Sequence, residues 1–160
     1  MSNLIVDPNS RTISAQKNLS IKLLVFEIGK LTLALPILQV QKVVKHQDIH
    51  GSGLSHVNLA HLAQQELAVV DLHRKLFKVS LAEASPTKGY FIISKNITGE
   101  PLGIMVTKPP TIIDVSLEKI RQLPDAYRRA DTLEIASHVA VVPQGETSLT
   151  IFILDLARLV

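Results

Sequence analysis

Short apolar runs interrupted by single polar residues extend along most of the chain. Residues 67–77 begin with such a run, continue with Asp71 and end with leucines at helical spacing, and residues 151–160 repeat this order around Asp155. A short, continuously apolar run is typical of a strand buried on both faces. The aspartate that follows can cap a helix start. Apolar residues four apart then predict one helical face in each copy, formed by Leu72 and Leu76 and by Leu156 and Val160. The pattern predicts a duplicated unit.

The first half of the chain predicts a hairpin followed by further extended segments. Gly29 and Lys30 separate two strand candidates, and glycine at the first position of a two-residue loop is typical of a type II′ turn. Pro36 ends the second strand. The elements predicted here are strands over 22–28, 31–35 and 40–44, a short helical or irregular segment over 54–65, and a surface loop over 80–88.

The second half predicts the same order of elements. Ser116 can cap a short helix that ends before Pro124, with an apolar face formed by Leu117, Ile120 and Leu123. The strands predicted here cover 90–94, 102–106, 111–115, 137–142 and 149–154. Two rounds of about five short strands without long helices favour an all-β protein made of two small closed barrels.

Composition narrows the function classes. The chain has no cysteine, which excludes disulfides and thiolate chemistry and suits the cytoplasm. Its net charge of +3 comes from scattered lysines and arginines, with few aromatic residues, so nucleic-acid binding is not expected. No apolar run is long enough to cross a membrane, and residues 1–20 resemble a loose lead-in more than a signal peptide. The sequence predicts a cytoplasmic protein that is not inserted in a membrane.

Candidate chemistry is weak. Four histidines, His46, His50, His56 and His61, fall around a Gly-Ser-Gly break. Zinc needs three or four rigidly held ligands, and a flexible break of this kind does not hold them rigidly. The chain has no Gly-x-Ser-x-Gly elbow and no glycine-rich phosphate loop. We therefore expect no metal site, no cofactor and no catalytic residues.

Six segments of the chain form an ordered set over roughly residues 21–160, namely 24–29, 35–43, 69–72, 102–106, 116–120 and 152–159. In this ordered set the chain resembles the chemotaxis coupling protein family, whose members are CheW-like domains. The resemblance implies two five-stranded SH3-like barrels in a pseudo-two-fold arrangement with short helices. It also implies a non-catalytic adaptor that binds the regulatory domain of a chemotaxis-type histidine kinase and the signalling tip of a chemoreceptor.

Two departures from the family pattern bear on partner binding. Lys42 stands where family members usually have a glutamate, and Ala63 and Gln64 stand where they usually have arginine and glycine. Replacing arginine by alanine removes a forked hydrogen-bond donor. An alternative therefore stays open, in which a degenerate CheW-like domain self-associates into a homo-oligomer or binds a different regulatory partner.

The resemblance suggests a set of protein-binding residues and a division of the chain. The candidate binding residues are Leu38, Val40, Lys42, Ala63, Gln64 and Met105. The three apolar members either line an exposed groove or belong to the core. The predicted division is a lead-in over 1–20, a first subdomain over about 21–80 plus the C-terminal segment, and a second over about 88–155.

Overall fold

Strands dominate the structure, a computed structural model that describes residues 19–45, 49–50, 57–62, 65–79, 81, 89–124, 126 and 134–159. The strands are β1 Ser20–Ile28, β2 Leu31–Pro36, β3 Val40–Lys45, β4 Ile49–His50, β5 Val57–Leu62, β6 Gln65–Val70, β7 Tyr90–Lys95, β8 Pro101–Val106, β9 Thr111–Ser116, β10 Ile120–Gln122, β11 Ala136–Gln144 and β12 Thr147–Leu154. The helical elements are α1 Leu72–Phe77 and three single-turn 3-10 helices, η1 Ile37–Gln39, η2 Leu117–Lys119 and η3 Leu156–Arg158. No helix in these ranges is long and apolar enough to span a membrane.

The strands form two six-stranded sheets, and the two edge strands of each sheet follow one another in the chain. The first sheet has the order β10-β11-β12-β2-β1-β9, and the second has the order β3-β7-β8-β6-β5-β4. Edge strands β9 and β10 are joined by η2 alone, and β3 and β4 are separated by residues 46–48. A chain segment that pairs at both edges of one sheet closes that sheet. Each sheet is therefore a small barrel. It has the predicted five strands when its two consecutive edge strands are counted as one.

Each barrel takes its hairpin from the other half of the chain. The β1–β2 hairpin pairs with β9 and β12, and the β7–β8 hairpin pairs with β3 and β6. The pairs β12–β2 and β6–β8 are parallel, whereas the others are antiparallel. The predicted subdomains, about 21–80 plus the C-terminal segment and about 88–155, therefore do not coincide with the two barrels. A local sequence pattern does not specify which distant strands pair. The exchange of hairpins between the two halves of the chain could therefore not be predicted from it.

Three apolar clusters explain why so many strands are apolar on both faces. Leu24, Phe26 and Ile28 of β1 face a central core shared by both barrels, whereas Leu23 and Val25 face the interior of the first barrel. The second barrel has its own interior, which includes Phe91 and Met105 of β7 and β8 among others. Since strand side chains alternate between faces, the part of a strand that lies between two cores is mainly apolar on both faces.

The two predicted aspartate caps are confirmed, but the helices after them differ. The Asp71 carboxylate accepts from the backbone N–H of Arg74 at the start of α1, where Leu72 and Leu76 are buried as predicted. The Asp155 carboxylate accepts from the backbone N–H of Ala157. Only one 3-10 turn follows it, so the second predicted α-helical face is wrong; Val160 lies outside the described residues.

Two segments, one predicted as helical or irregular and one as a short helix, contain strands. Residues 57–62 form β5, which pairs with β6 and β4 and completes the second barrel. Ser116 makes no side-chain cap, and the predicted helix after it is reduced to η2 followed by β10, which pairs with β11. In both places the backbone hydrogen bonds needed to close a barrel override a weak local helical pattern. Most of the predicted loop at 80–88 lies outside the described residues.

Candidate docking surface

A cleft of about 650 Å³ opens where three connections of the two barrels meet. Its walls come from η1 between β2 and β3, from the turn between β7 and β8, and from η3 after β12. Leu38 and Ile97 stand on two of these walls, and Leu156 contributes from the third. The cleft is thus built from both halves of the duplicated chain.

Leu38 and Ile97 are the most exposed large apolar side chains among the described residues. Leu38 is 95% exposed and Ile97 83%, whereas the other large apolar side chains on the described surface do not exceed 58%. Exposed apolar side chains beside a cleft, with polar neighbours, are typical of protein interaction sites. Two large apolar side chains are exposed to water here. This exposure raises the free energy of the unbound protein relative to a complex in which a partner covers them.

The exposure of Leu38 follows from the way its turn is fixed to the core. Pro36 precedes η1 with φ −56°, and the backbone N–H of Val40 donates to the carbonyl of Ile37. Ile37 and Val40 both pack against the central core. Because the half-buried Ile37 and Val40 pack against the core, the turn between them leaves Leu38 on its outer side.

Ile97 is held outward by a turn that its neighbour Asn96 organises. The Asn96 side-chain oxygen accepts from the backbone N–H groups of Thr98 at 3.0 Å and Glu100 at 2.9 Å, and from the Thr98 hydroxyl at 2.7 Å. Gly99 completes the turn with φ +86°, a conformation that favours glycine. The sequence analysis did not assign a role to Ile97; an isoleucine between turn-forming residues was the available signal.

Charged side chains flank the cleft on two sides. Lys95 lines it from the end of β7 and is exposed. Asp155 lines it from the other side, where Arg158 lies 3.5 Å from its carboxylate. Asp155 is thus engaged as a helix cap and in an ion pair. The surface combines an apolar pair with a polar margin, as interfaces generally do.

The predicted binding residues are only partly brought together. Leu38 lines the cleft, whereas Val40 is half-buried against the central core and Lys42 is exposed on β3 outside the cleft lining. Met105 is 5% exposed within the second barrel, so the structure places it in the core, the second of the two alternatives for this residue, and not on an exposed groove. Ala63 and Gln64 lie outside the described residues, as do His46 and His56. Within the described ranges no three histidine, aspartate or glutamate side chains gather as metal ligands.

Comparison with protein families decides the relationship suggested by the segments. The model of the CheW-like domain matches residues 22–160. The chain belongs to the CheW-like domain family. The fold of this CheW-like domain also resembles the crystal structure of the scaffolding protein TtCheW from Thermoanaerobacter tengcongensis, with a TM-score of 0.69. That match has 19% sequence identity and covers 88% of each chain, and it confirms the arrangement of two SH3-like barrels. No curated protein sequence matches the chain.

Proposed function

We propose that this CheW-like domain is a non-catalytic adaptor that couples a chemoreceptor-type sensor to a chemotaxis-type histidine kinase in the cytoplasm. Family membership supports a scaffold in chemotaxis signalling. The observation that carries the proposal is the exposed pair Leu38 and Ile97 on a cleft between the barrels. The receptor signalling tip is the proposed occupant of this cleft, because a helix can lay an apolar stripe into such a groove.

The exposed pair supplies enough apolar surface for a specific contact. Full burial of a leucine or isoleucine side chain contributes about 1.5–3 kcal/mol. Leu38 and Ile97 together would contribute about 3–6 kcal/mol, which corresponds to roughly two to four orders of magnitude in affinity. This is a reasonable share of a reversible protein contact.

An adaptor needs a second surface for the kinase regulatory domain. The first barrel has a further recess on η2, β10 and β11, lined by Glu118, Lys119, Arg121, Val139, Val141 and Pro143. Val141 is 47% exposed there, and Leu117 of η2 is 42% exposed. These apolar side chains among charges of both signs support the recess as the kinase-facing surface.

Isothermal titration of the protein with a soluble coiled-coil hairpin carrying a receptor tip, and separately with a kinase regulatory domain, tests the proposal. Leu38→Ala should weaken tip binding about tenfold to thirtyfold, because about 2 kcal/mol of apolar burial is lost. Leu59→Ala, at a leucine of β5 that is 48% exposed elsewhere, is the matched control and should change affinity less than twofold. Binding of the native protein to neither partner would refute the coupling function.

The second candidate is a divergent CheW-like domain that self-associates or uses another regulatory partner. Lys42, which departs from the usual family glutamate, is exposed on β3 and available to a partner. Restoring glutamate by Lys42→Glu should raise kinase affinity if only this contact has diverged. An unchanged kinase affinity together with a concentration-dependent dimer in sedimentation would favour the second candidate.

A further inference from the structure

Ser94 is a buried polar side chain that is hydrogen-bonded to the 3-10 turn carrying Leu38. It lies in β7 and has 0% exposure; with Asp71, it is one of two buried polar or charged side chains among the described residues. Its hydroxyl donates to the backbone carbonyl of Gln39 at 2.8 Å. Gln39 is the last residue of η1 and follows Leu38. A hydrogen bond from the second barrel therefore ends next to the exposed leucine.

The backbone on the C-terminal side of Leu38 is irregular. η1 has no side-chain cap at its start. The pairing of β3 with β7 begins at Val40 opposite Ser94 and is then interrupted by a register shift before Lys42. A bulge loosens the regular ladder at this point and re-aims side chains. The Ser94 hydroxyl supplies an attachment to β7 immediately before the irregular register.

The same end of β7 also locates Ile97. Asn96 follows β7 directly and organises the turn with three bonds to its side-chain oxygen. Ser94 and Asn96 are two residues apart, and each fixes the backbone of one exposed apolar side chain. Two side chains at the end of one strand thus hydrogen-bond to the backbone close to Leu38 and to Ile97.

We propose that Ser94 is a positioning residue that fixes the separation of Leu38 and Ile97 and thereby the affinity of the cleft for its partner. The affinity part rests on the proposed function; the separation does not. Removing one partner of a buried hydrogen bond frees the other to move or leaves it unsatisfied. Ser94→Ala should therefore weaken receptor-tip binding about fivefold to tenfold, and Ser94→Thr, which keeps the hydroxyl, should restore most of it.

A double-mutant cycle separates positioning from a general loss of stability. If Ser94 acts through the placement of Leu38, Ser94→Ala should have less than a twofold effect on tip affinity in a Leu38→Ala background. A full additive loss in that background would overturn the proposal, as would a Ser94→Ala affinity equal to that of the native protein. Thermal unfolding of each variant establishes that the folded protein is being compared.

A second measurement needs no partner. The chain contains no cysteine, so Leu38→Cys and Ile97→Cys introduce two unique sites for nitroxide labels. Electron paramagnetic resonance should give one narrow distance distribution, which broadens or shifts when Ser94→Ala is added. An unchanged distribution would overturn the proposal. A broadened distribution in a protein that binds no receptor tip would support the positioning role while refuting the proposed function.

Discussion

Replacing Asp71 by alanine tests how strongly the first copy of the duplicated unit depends on its aspartate. The Asp71 carboxylate is 3% exposed. It accepts from the backbone N–H of Arg74 at 3.0 Å and from that of Leu81 at 2.9 Å. It therefore caps α1 and also ties the chain ten residues further on to the same point.

The magnitude follows from these two bonds. Loss of an N-cap side chain costs about 0.5–2 kcal/mol. Leaving the buried N–H of Leu81 without its acceptor costs about 1–3 kcal/mol more. Asp71→Ala should thus lower the free energy of unfolding by about 1.5–5 kcal/mol.

Asp155 provides the matched control, because it stands at the equivalent place in the second copy. It caps a single 3-10 turn through the N–H of Ala157 at 3.1 Å, and it is only half-buried. Its ion pair with Arg158 is partly exposed, and such pairs contribute little. Asp155→Ala should cost about 0.5–1 kcal/mol.

Urea denaturation followed by far-ultraviolet circular dichroism measures both variants against the native protein. We expect Asp71→Ala to lower the free energy of unfolding clearly more than Asp155→Ala does, with the denaturant slope unchanged. Equal losses of unfolding free energy in the two variants, or a loss below about 1 kcal/mol for Asp71→Ala, would show that the hydrogen bond to Leu81 does not stabilise the fold.

Two further substitutions, Gly29→Ala and Lys22→Ala, test features of the first barrel by thermal unfolding, and Gly145→Ala is the control for the first of them. Gly29 has φ +58°, and a Cβ there would lie 2.9 Å from the ring of Phe77, so Gly29→Ala should destabilise the fold by about 1–2 kcal/mol. Gly145 has φ +62° with open space around it; Gly145→Ala should cost less, and an equal cost would exclude a contribution from Phe77. Lys22→Ala removes an ion pair with Asp114 whose side chains are both 59% exposed, so stability should change by only about 0–1 kcal/mol. A larger change would indicate an additional role for Lys22.

Much of the fold could be predicted from the sequence because its strands lie between cores. Apolar runs such as residues 67–70 reflect burial on both faces, and this local property survives in the chain as a pattern. The strand β5 was missed for the opposite reason. Its Ala60 is fully buried whereas Leu59 is 48% exposed, so residue hydrophobicity does not follow burial there.

The docking surface was predictable only in part. Leu38 followed from the family resemblance, but Ile97 depends on a turn that places an apolar residue in solvent, which no periodicity reveals. Met105 also came from the resemblance and was left open between an exposed groove and the core, and its strand is buried on both faces. The exchange of hairpins between barrels depends on pairing between distant strands, and a local pattern contains no record of it.

This exchange has a consequence for the order in which the molecule is made. The β1–β2 hairpin emerges early from the ribosome, but β12, its parallel neighbour, follows more than a hundred residues later. Until then the face of the hairpin that carries Leu23, Val25 and Ala34 lacks Ile151 and Ile153, its neighbours inside the first barrel. Contacts this distant in sequence slow folding and prolong exposure to other chains. Truncation of the chain before β12 would therefore leave apolar surface of the hairpin uncovered in an aggregation-prone fragment.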